Sequence, residues 1–382
     1  MTVPVFFGTL MLVIGLYATV LSIANVRAIR NQTPKVLSSE GPLVSVLIPA
    51  RNEELSLAAC IESLTKQSYR DIEILVLDDE STDRTWEIIK TYEAKDPRVR
   101  GIKGRKLEAG WKGKTFAMQQ LSQQAKGEYI LFTDADTVHT PTSVAFGYSV
   151  ARKNGAALVS GYPTENCPNW AIGTIISAML VNTVLFVPLA LQKRRPHSCF
   201  SMAIGQYLFV KRSDLIEIDG FNRFRNAITD DIHLARELAR NGRIQLLVDA
   251  SDALSCTMYR STKEAFLGVE RSLAGTIPLR LCPLILVAVV LLIGCAISPI
   301  MAIVFLAQAL SGSSGLLVPA ILTAIGALLL FGTWAAMAKF HKYSASIGWS
   351  GPVTFLWICA MYLHGLARTF SKKGFSWKGR EI

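Results

Sequence analysis

The sequence predicts an α/β domain, Rossmann-like with a mostly parallel sheet, carried between N-terminal and C-terminal transmembrane helices. Three observations predict it. Long uncharged apolar runs occupy both ends of the chain; between residues 43 and 165 short apolar runs alternate with amphipathic stretches; and several of those short runs end in acidic residues.

Residues 3–25 carry no charge and are almost wholly apolar, which meets the roughly 20 residues a spanning helix needs. They are followed by Arg27 and Arg30, and positive flanks mark the cytoplasmic side, so the chain is expected to enter the cytosol from about residue 27. No charge precedes the run and no small-residue cleavage site closes it, which argues against a cleaved signal peptide. The expected organisation is a transmembrane helix over 1–26, a cytosolic α/β domain over 40–275, membrane helices over 277–366 and a basic tail over 367–382.

Composition agrees with this division. Of 382 residues 51% are hydrophobic, and 40 Lys and Arg against 29 Asp and Glu leave a formal charge of +11. That balance suits anionic headgroups or an anionic substrate. The basic residues are scattered or sit beside apolar runs, with no nucleic-acid motif, so no nucleic-acid partner is expected. Seven cysteines form no CxxC pair, which speaks for buried thiols and against structural zinc.

In the central region, residues 44–48, 72–77, 129–132 and 156–159 read as strands, with helices over 53–66 and 82–94 between them. Residues 171–191 are again uncharged. A single crossing there would separate the acids near Asp134 from those near Asp231, so the segment is read either as an interfacial helix, with Pro188 inside it and Lys193-Arg194-Arg195 after it, or as a buried core helix; the pattern fits both. Runs at 281–309 and 315–338 are each long enough to span. The run at 347–366 is shorter and carries His364; three crossings would place Arg368, Lys372, Lys373, Lys378 and Arg380 outside, against the charge rule, so either this run does not span or the first is broken near Pro299.

The acids carry the chemistry. Val44-Ser-Val-Leu-Ile-Pro-Ala-Arg-Asn-Glu-Glu54 is a strand, ended by Pro49, running into a loop where polar groups and amides could meet a nucleotide. A second strand delivers Asp78 and Asp79, and a third delivers Asp134 and Asp136, to the same sheet edge. In extended chain the two-residue spacing of Asp134 and Asp136 points both carboxylates to one side, where they can hold Mg2+ or Mn2+; zinc would want His or Cys. Asp230 and Asp231 stand at the start of an amphipathic helix, where the dipole favours an ionised carboxylate and N-capping is the plain alternative for one of them. Gly110-Trp-Lys-Gly-Lys-Thr115 looks like a P-loop but lacks its first glycine, position 108 being Glu108, and no strand precedes it. Lys112 or Lys114 is read as a pyrophosphate contact or a solvated surface lysine.

Taken in order, Pro-Ala-Arg-Asn-Glu-Glu, Asp-Asp-Glu-Ser-Thr-Asp, Gly-Trp-Lys-Gly-Lys, Thr-Asp-Ala-Asp and Thr-Asp-Asp resemble the family 2 glycosyltransferases of GT-A fold, from about Val44 to Arg271. The resemblance implies an enzyme that transfers a sugar, glucose from a UDP-sugar, with inversion. It implies that Pro49, Ala50, Arg51, Glu53, Asp79, Lys114, Asp134 and Arg271 bind the nucleotide sugar, that Asp134 and Asp136 hold the metal, that Asp231 is the catalytic base, and that Gln206 and Asp230 lie on the acceptor side. Polysaccharide synthases of this family carry Gln-x-x-Arg-Trp, whereas this chain reads Gly268-Val-Glu-Arg-Ser272. That departure, with Gly205-Gln206 and Met258-Tyr259-Arg260, resembles the branch that glycosylates carotenoid, hopanoid-associated and ceramide lipids. The implied partners are a nucleotide-diphosphate sugar, a lipid acceptor and the bilayer, with the catalytic domain on the cytosolic side of a bacterial inner membrane. The alternatives are a polysaccharide or polyprenyl-phosphate sugar synthase and a non-catalytic membrane scaffold.

Overall fold

The structure is a computed structural model and describes residues 2–194, 196–276, 282–370, 376–377 and 380–381. Arg195, Lys372, Lys373 and Lys378 lie outside the described residues. The elements run in the order α1 Val3–Gln32, β1 Val44–Ala50, α2 Leu57–Thr65, β2 Ile72–Asp78, α3 Thr85–Lys95, β3 Val99–Lys103, α4 Gly113–Gln124, β4 Tyr129–Phe132, β5 Thr137–His139, α5 Ser143–Asn154, β6 Leu158–Tyr162, β7 Thr164–Glu165 and α6 Trp170–Phe186. They continue as β8 Leu208–Lys211, α7 Arg212–Glu217, α8 Asp230–Arg240, β9 Gln245–Asp249, β10 Leu254–Cys256, α9 Thr262–Thr276, α10 Cys282–Leu310, α11 Leu317–Phe340, α12 Ala345–Gly348 and α13 Gly351–Phe370, with a short hairpin of Ser376–Trp377 and Arg380–Glu381.

The chain divides into two units, one made of residues 28–166, 189–258 and 375–382 and the other of residues 1–27, 167–188 and 259–374. The first is α/β. Its seven-stranded sheet has the order β3-β2-β1-β4-β8-β6-β9, parallel except where β8 runs against β4 and β6. Alternate residues of β1 face opposite sides: Val44, Val46 and Ile48 pack under α2 and α5, while Leu47 packs under α4 and α8. Both faces are covered, and this is why the strand reads as a continuous apolar run.

Two strand boundaries differ from the sequence reading for visible reasons. Pro49 lies inside β1, because its missing N–H points to the side where β4 has already stopped pairing, at Phe132 opposite Leu47. The last strand before residue 165 starts at Leu158 and not at 156, because Gly155, at φ 61°, closes α5 and the Ala156 amide donates back to Ala151 O. A small second sheet, β5-β10-β7, has β10 antiparallel to β5 and parallel to β7.

The second unit is helical. Among the described residues three helices are long and apolar enough to cross a membrane: Val3–Gln32, Ile285–Leu310 and Ser314–Phe340. The Cys282–Leu310 helix continues through Pro299, so it is not broken there. Gly15 and Gly326 let α1 and α11 touch backbone to backbone; a Cβ on Gly15 would stand 2.5 Å from Gly326 O. Asn25 on α1 donates to the carbonyls of Val184 and Val187, both at 2.8 Å, and so satisfies the end of α6. The sequence reading assigns α6 and α9 to the 40–275 domain, whereas contacts group both with the apolar helices: α6 buries twelve of its 17 residues and packs on α9, α11, α12 and α13.

Candidate active site

The carboxyl ends of β1 and β2 are tied together by their loops. Arg51 Nη1 donates to Asp79 O and Glu80 O at 2.5 and 3.2 Å, Asn52 N to Ser81 Oγ at 3.0 Å, and Glu53 N to Thr85 Oγ1 at 2.8 Å. The tied loop runs through residues that the sequence reading placed in a helix from residue 53, and α2 starts at Leu57. Asn52 and Glu80 sit in the left-handed region, at φ 52° and 54°. Asp79 is 2% exposed, and its amide donates to Ala50 O at 2.8 Å. Asp78, 1% exposed, is held by Lys103 Nζ at 2.6 Å, a partner that sequence spacing did not indicate. Lys103→Met would leave a buried carboxylate with the Ser81 amide at 3.2 Å, and should cost roughly 1–3 kcal/mol of stability, read as a lower melting temperature of the purified protein.

The chemically richest cluster forms where α4, β4 and α8 meet. Lys114, in the first turn of α4, places Nζ 2.6 Å from Asp134 Oδ1 just beyond β4. The same ammonium is close enough to feel Asp230 and Asp231 in the first turn of α8. Lys114 therefore stands at the focus of three carboxylates. Thr229 is the N-cap, so neither Asp230 nor Asp231 takes that role; Asp231 Oδ1 accepts from the Ile232 amide at 2.7 Å.

Burial first, and then the neighbouring Asp230, push the Asp231 carboxyl up to about 7. Asp230 is raised too, by burial. The Lys114 ammonium is disfavoured by burial, yet the surrounding carboxylates outweigh this and hold it above the usual lysine range. Lys114 thus stays charged throughout the range in which Asp231 titrates.

Asp134 and Asp136 do not lie along one extended strand. Thr137 Oγ1 and N return to Asp134 O at 2.8 and 3.3 Å, closing a turn that gives the two carboxylates different partners while leaving both close enough to act on Cys60. Asp134 joins Lys114. Asp136 instead acts on Cys256 and Glu165, both brought there by the β5-β10-β7 sheet, where Cys256 pairs with Glu165. Burial, with Asp136 beside it, raises the Glu165 carboxyl well above the ordinary range. Glu165 lies three residues beyond the end of β6, in β7, and a Glu soon after a strand on the acidic edge is the signal that could have picked it out.

Among the described residues no three acids, histidines or cysteines form a ready metal cage. The donor chemistry nonetheless fits a hard divalent ion, which uses one or two carboxylates and completes its shell with water and phosphate. Buried Asp230 also has one oxygen, Oδ2, without a hydrogen-bond partner among the described residues. Behind the turn, His139 is buried and pushed down to about 3, so it is a neutral strut between Ser143, Thr133 and Thr137 and not a ligand.

Gln206 is buried; its carbonyl accepts from Thr133 Oγ1 at 2.8 Å. Its neighbour Gly205 lines the cluster: a Cβ there would lie 3.2 Å from Lys114 Nζ, 3.6 Å from Asp231 Oδ2 and 3.8 Å from Asp134 Oδ2. Any side chain would intrude between these groups. Pro49, Ala50, Arg51, Glu53, Asp79, Lys114, Asp134, Asp136, Gln206, Asp230 and Asp231 all belong to the α/β unit, whereas Arg271 lies on α9 in the helical unit.

Residues 45–218 match the family described as Glycosyl transferase family 2. Over 202 residues the chain is 28% identical to 4,4'-diaponeurosporenoate glycosyltransferase of Staphylococcus haemolyticus, covering 52% of each chain. Over 103 residues it is 39% identical to UDP-Glc:alpha-D-GlcNAc-diphosphoundecaprenol beta-1,3-glucosyltransferase WfaP of Escherichia coli, covering 27% of this chain and 39% of the other. The chain thus spans about half or less of these relatives' length. The fold is similar to that of the mannosyltransferase PcManGT from Pyrobaculum calidifontis, solved with GDP-Man and Mn2+, at a TM-score of 0.55 and 17% identity over 94% of this chain and 99% of that one. Motifs, sheet order and these likenesses agree: residues 45–218 match the family 2 glycosyltransferases, and the fold is GT-A-like.

Proposed function

We propose that this protein transfers a hexosyl group, glucose from a UDP-sugar, to the hydroxyl or carboxyl of a membrane lipid on the cytosolic side of a bacterial inner membrane. The observation that carries the chemistry is Lys114 at the focus of Asp134, Asp230 and Asp231, with the Asp231 carboxyl raised to about 7. Transfer breaks the bond from the anomeric carbon to the diphosphate and forms one to the acceptor oxygen, so it needs a base on one side and positive charge on the other. Asp231 takes the acceptor proton. Its ordinary pKa would make it a feeble base, and burial beside Asp230 strengthens it.

Lys114 lies against Asp134 and, in this reading, meets the leaving diphosphate, where its charge offsets the charge that builds as the bond breaks. A divalent ion, held by Asp134 and Asp136, supplies further charge neutralisation when bound. Pro49, Ala50, Arg51, Glu53 and Asp79 form the tied loops that receive the nucleoside. Asp230 and Gln206 face the acceptor. The lipid acceptor is supported by three helices among the described residues long enough to span a membrane, and by relatives named for 4,4'-diaponeurosporenoate and for alpha-D-GlcNAc-diphosphoundecaprenol.

The test is transfer by the full-length protein in vesicles containing a bacterial lipid extract, with labelled UDP-glucose. Label should enter the lipid fraction. Because Asp231 must be ionised to act and its pKa is raised, kcat/KM should climb through pH 7 and level off above it, standing about a hundredfold lower at pH 5 than on the plateau. A profile flat from pH 5 to 8 would remove Asp231 as the base, and label only in a soluble polymer would favour the polysaccharide alternative.

A further inference from the structure

A second titratable cluster lies in the helical unit, outside the acidic site. Glu270 on α9 is buried, its side chain 1% exposed, and its Oε1 lies 2.9 Å from Nδ1 of His364 on α13. Glu270 Oε2 is also buried and makes no hydrogen bond among the described residues. A carboxylate oxygen accepts here, so the tautomer that satisfies the contact carries its proton on Nδ1 and presents the Nε2 lone pair outward. The imidazole is 47% exposed and has aromatic neighbours: Phe266 lies 5.7 Å from His364 and 6.0 Å from Trp357 between ring centroids. Trp357 is fixed by its indole N–H, which donates to Thr174 Oγ1 on α6 at 3.1 Å.

A buried carboxylate with a single hydrogen bond is a costly way to pin two helices. It is, however, an effective way to orient an imidazole and strengthen it as an acceptor, as carboxylates behind metal-bound histidines do. We infer that the Glu270–His364 pair is a binding site for the hydroxyl head of an apolar molecule, with Nε2 accepting the hydroxyl proton and Phe266 and Trp357 packing the adjoining chain. The same chemistry could come from the acceptor substrate or from a bulk lipid that seats the helices. Binding at this pair is independent of proton abstraction by Asp231, so the two readings can fail separately.

The experiment uses full-length protein in phosphatidylcholine vesicles, which carry no lipid hydroxyl, with 11-bromoundecan-1-ol and its methyl ether as probes that quench tryptophan fluorescence. The alcohol should bind about tenfold more tightly than the ether, the worth of one hydrogen bond, and Trp357→Phe should remove most of the quenching. His364→Phe, which keeps a ring but loses Nε2, should abolish the preference, and His364→Gln, which restores an acceptor oxygen, should recover part of it. UDP-glucose binding reports folding of every variant. Asp231→Asn should keep the preference while losing transfer. Glucosylation of the bromo-alcohol, lost in His364→Phe, would identify the source as the acceptor; binding without product would identify a seating lipid. Equal affinity for alcohol and ether, or a preference that survives His364→Phe, would overturn the proposal.

Discussion

Asp231→Asn should lower sugar transfer by about a thousandfold or more while leaving the affinity for the nucleotide sugar within about twofold. The amide keeps the shape of the carboxyl and can still accept from the Ile232 amide, so the first turn of α8 is preserved. What it loses is the ability to take a proton. Because the group acts on the acceptor, the defect belongs in kcat, and donor titration by calorimetry should look nearly normal.

The same substitution carries a stability prediction of opposite sign. A folded-state pKa raised to about 7 means that the native protein holds a proton the unfolded chain has already released at pH 5. Stability gained this way is complete below the ordinary aspartate range and is lost as pH rises through 7. The asparagine variant cannot ionise, so it should melt higher than the wild type at pH 8 and nearly level with it at pH 4. Activity and stability would then be exchanged at one atom. Retained turnover in this variant would shift the role of base to Asp230.

Removal of divalent metal should be nearly as damaging. Excess chelator should reduce transfer to background, and magnesium or manganese should restore it. Asp136→Ala should weaken donor binding as well as turnover, since in the proposed reading its carboxylate meets the donor through the ion. Asp134→Ala should be worse, because it also strips Lys114 of its 2.6 Å partner. Metal-dependent donor binding by calorimetry separates this from a folding defect. Full activity in chelator would make the acidic pair structural and leave Lys114 as the main cation for the diphosphate.

The parts of this protein that sequence alone determined are those set by local periodicity and strand ends. Short apolar runs flanked by amphipathic helices specify an α/β unit, and because both faces of a parallel sheet are covered, each strand announces itself as an unbroken apolar run. Uncharged stretches long enough to span were equally legible, since the bilayer sets their length. The acids at the ends of β2 and β4 could be assigned to one edge because parallel strands share a direction.

Tertiary structure alone decided which groups meet. That Lys114 reaches Asp134, Asp230 and Asp231 depends on α4 and α8 packing on the same face of the sheet, and no spacing along the chain encodes it. The parting of Asp134 from Asp136 follows from a turn closed by Thr137, and the approach of Glu165 follows from pairing of β10 with β7. The placement of α6 and α9 with the apolar helices could not be read either, because a 17-residue apolar helix looks the same buried among helices as beneath a sheet. Side-chain chemistry is written locally, whereas the shared low-dielectric surroundings that raise Asp231 arise only when distant segments exclude water together.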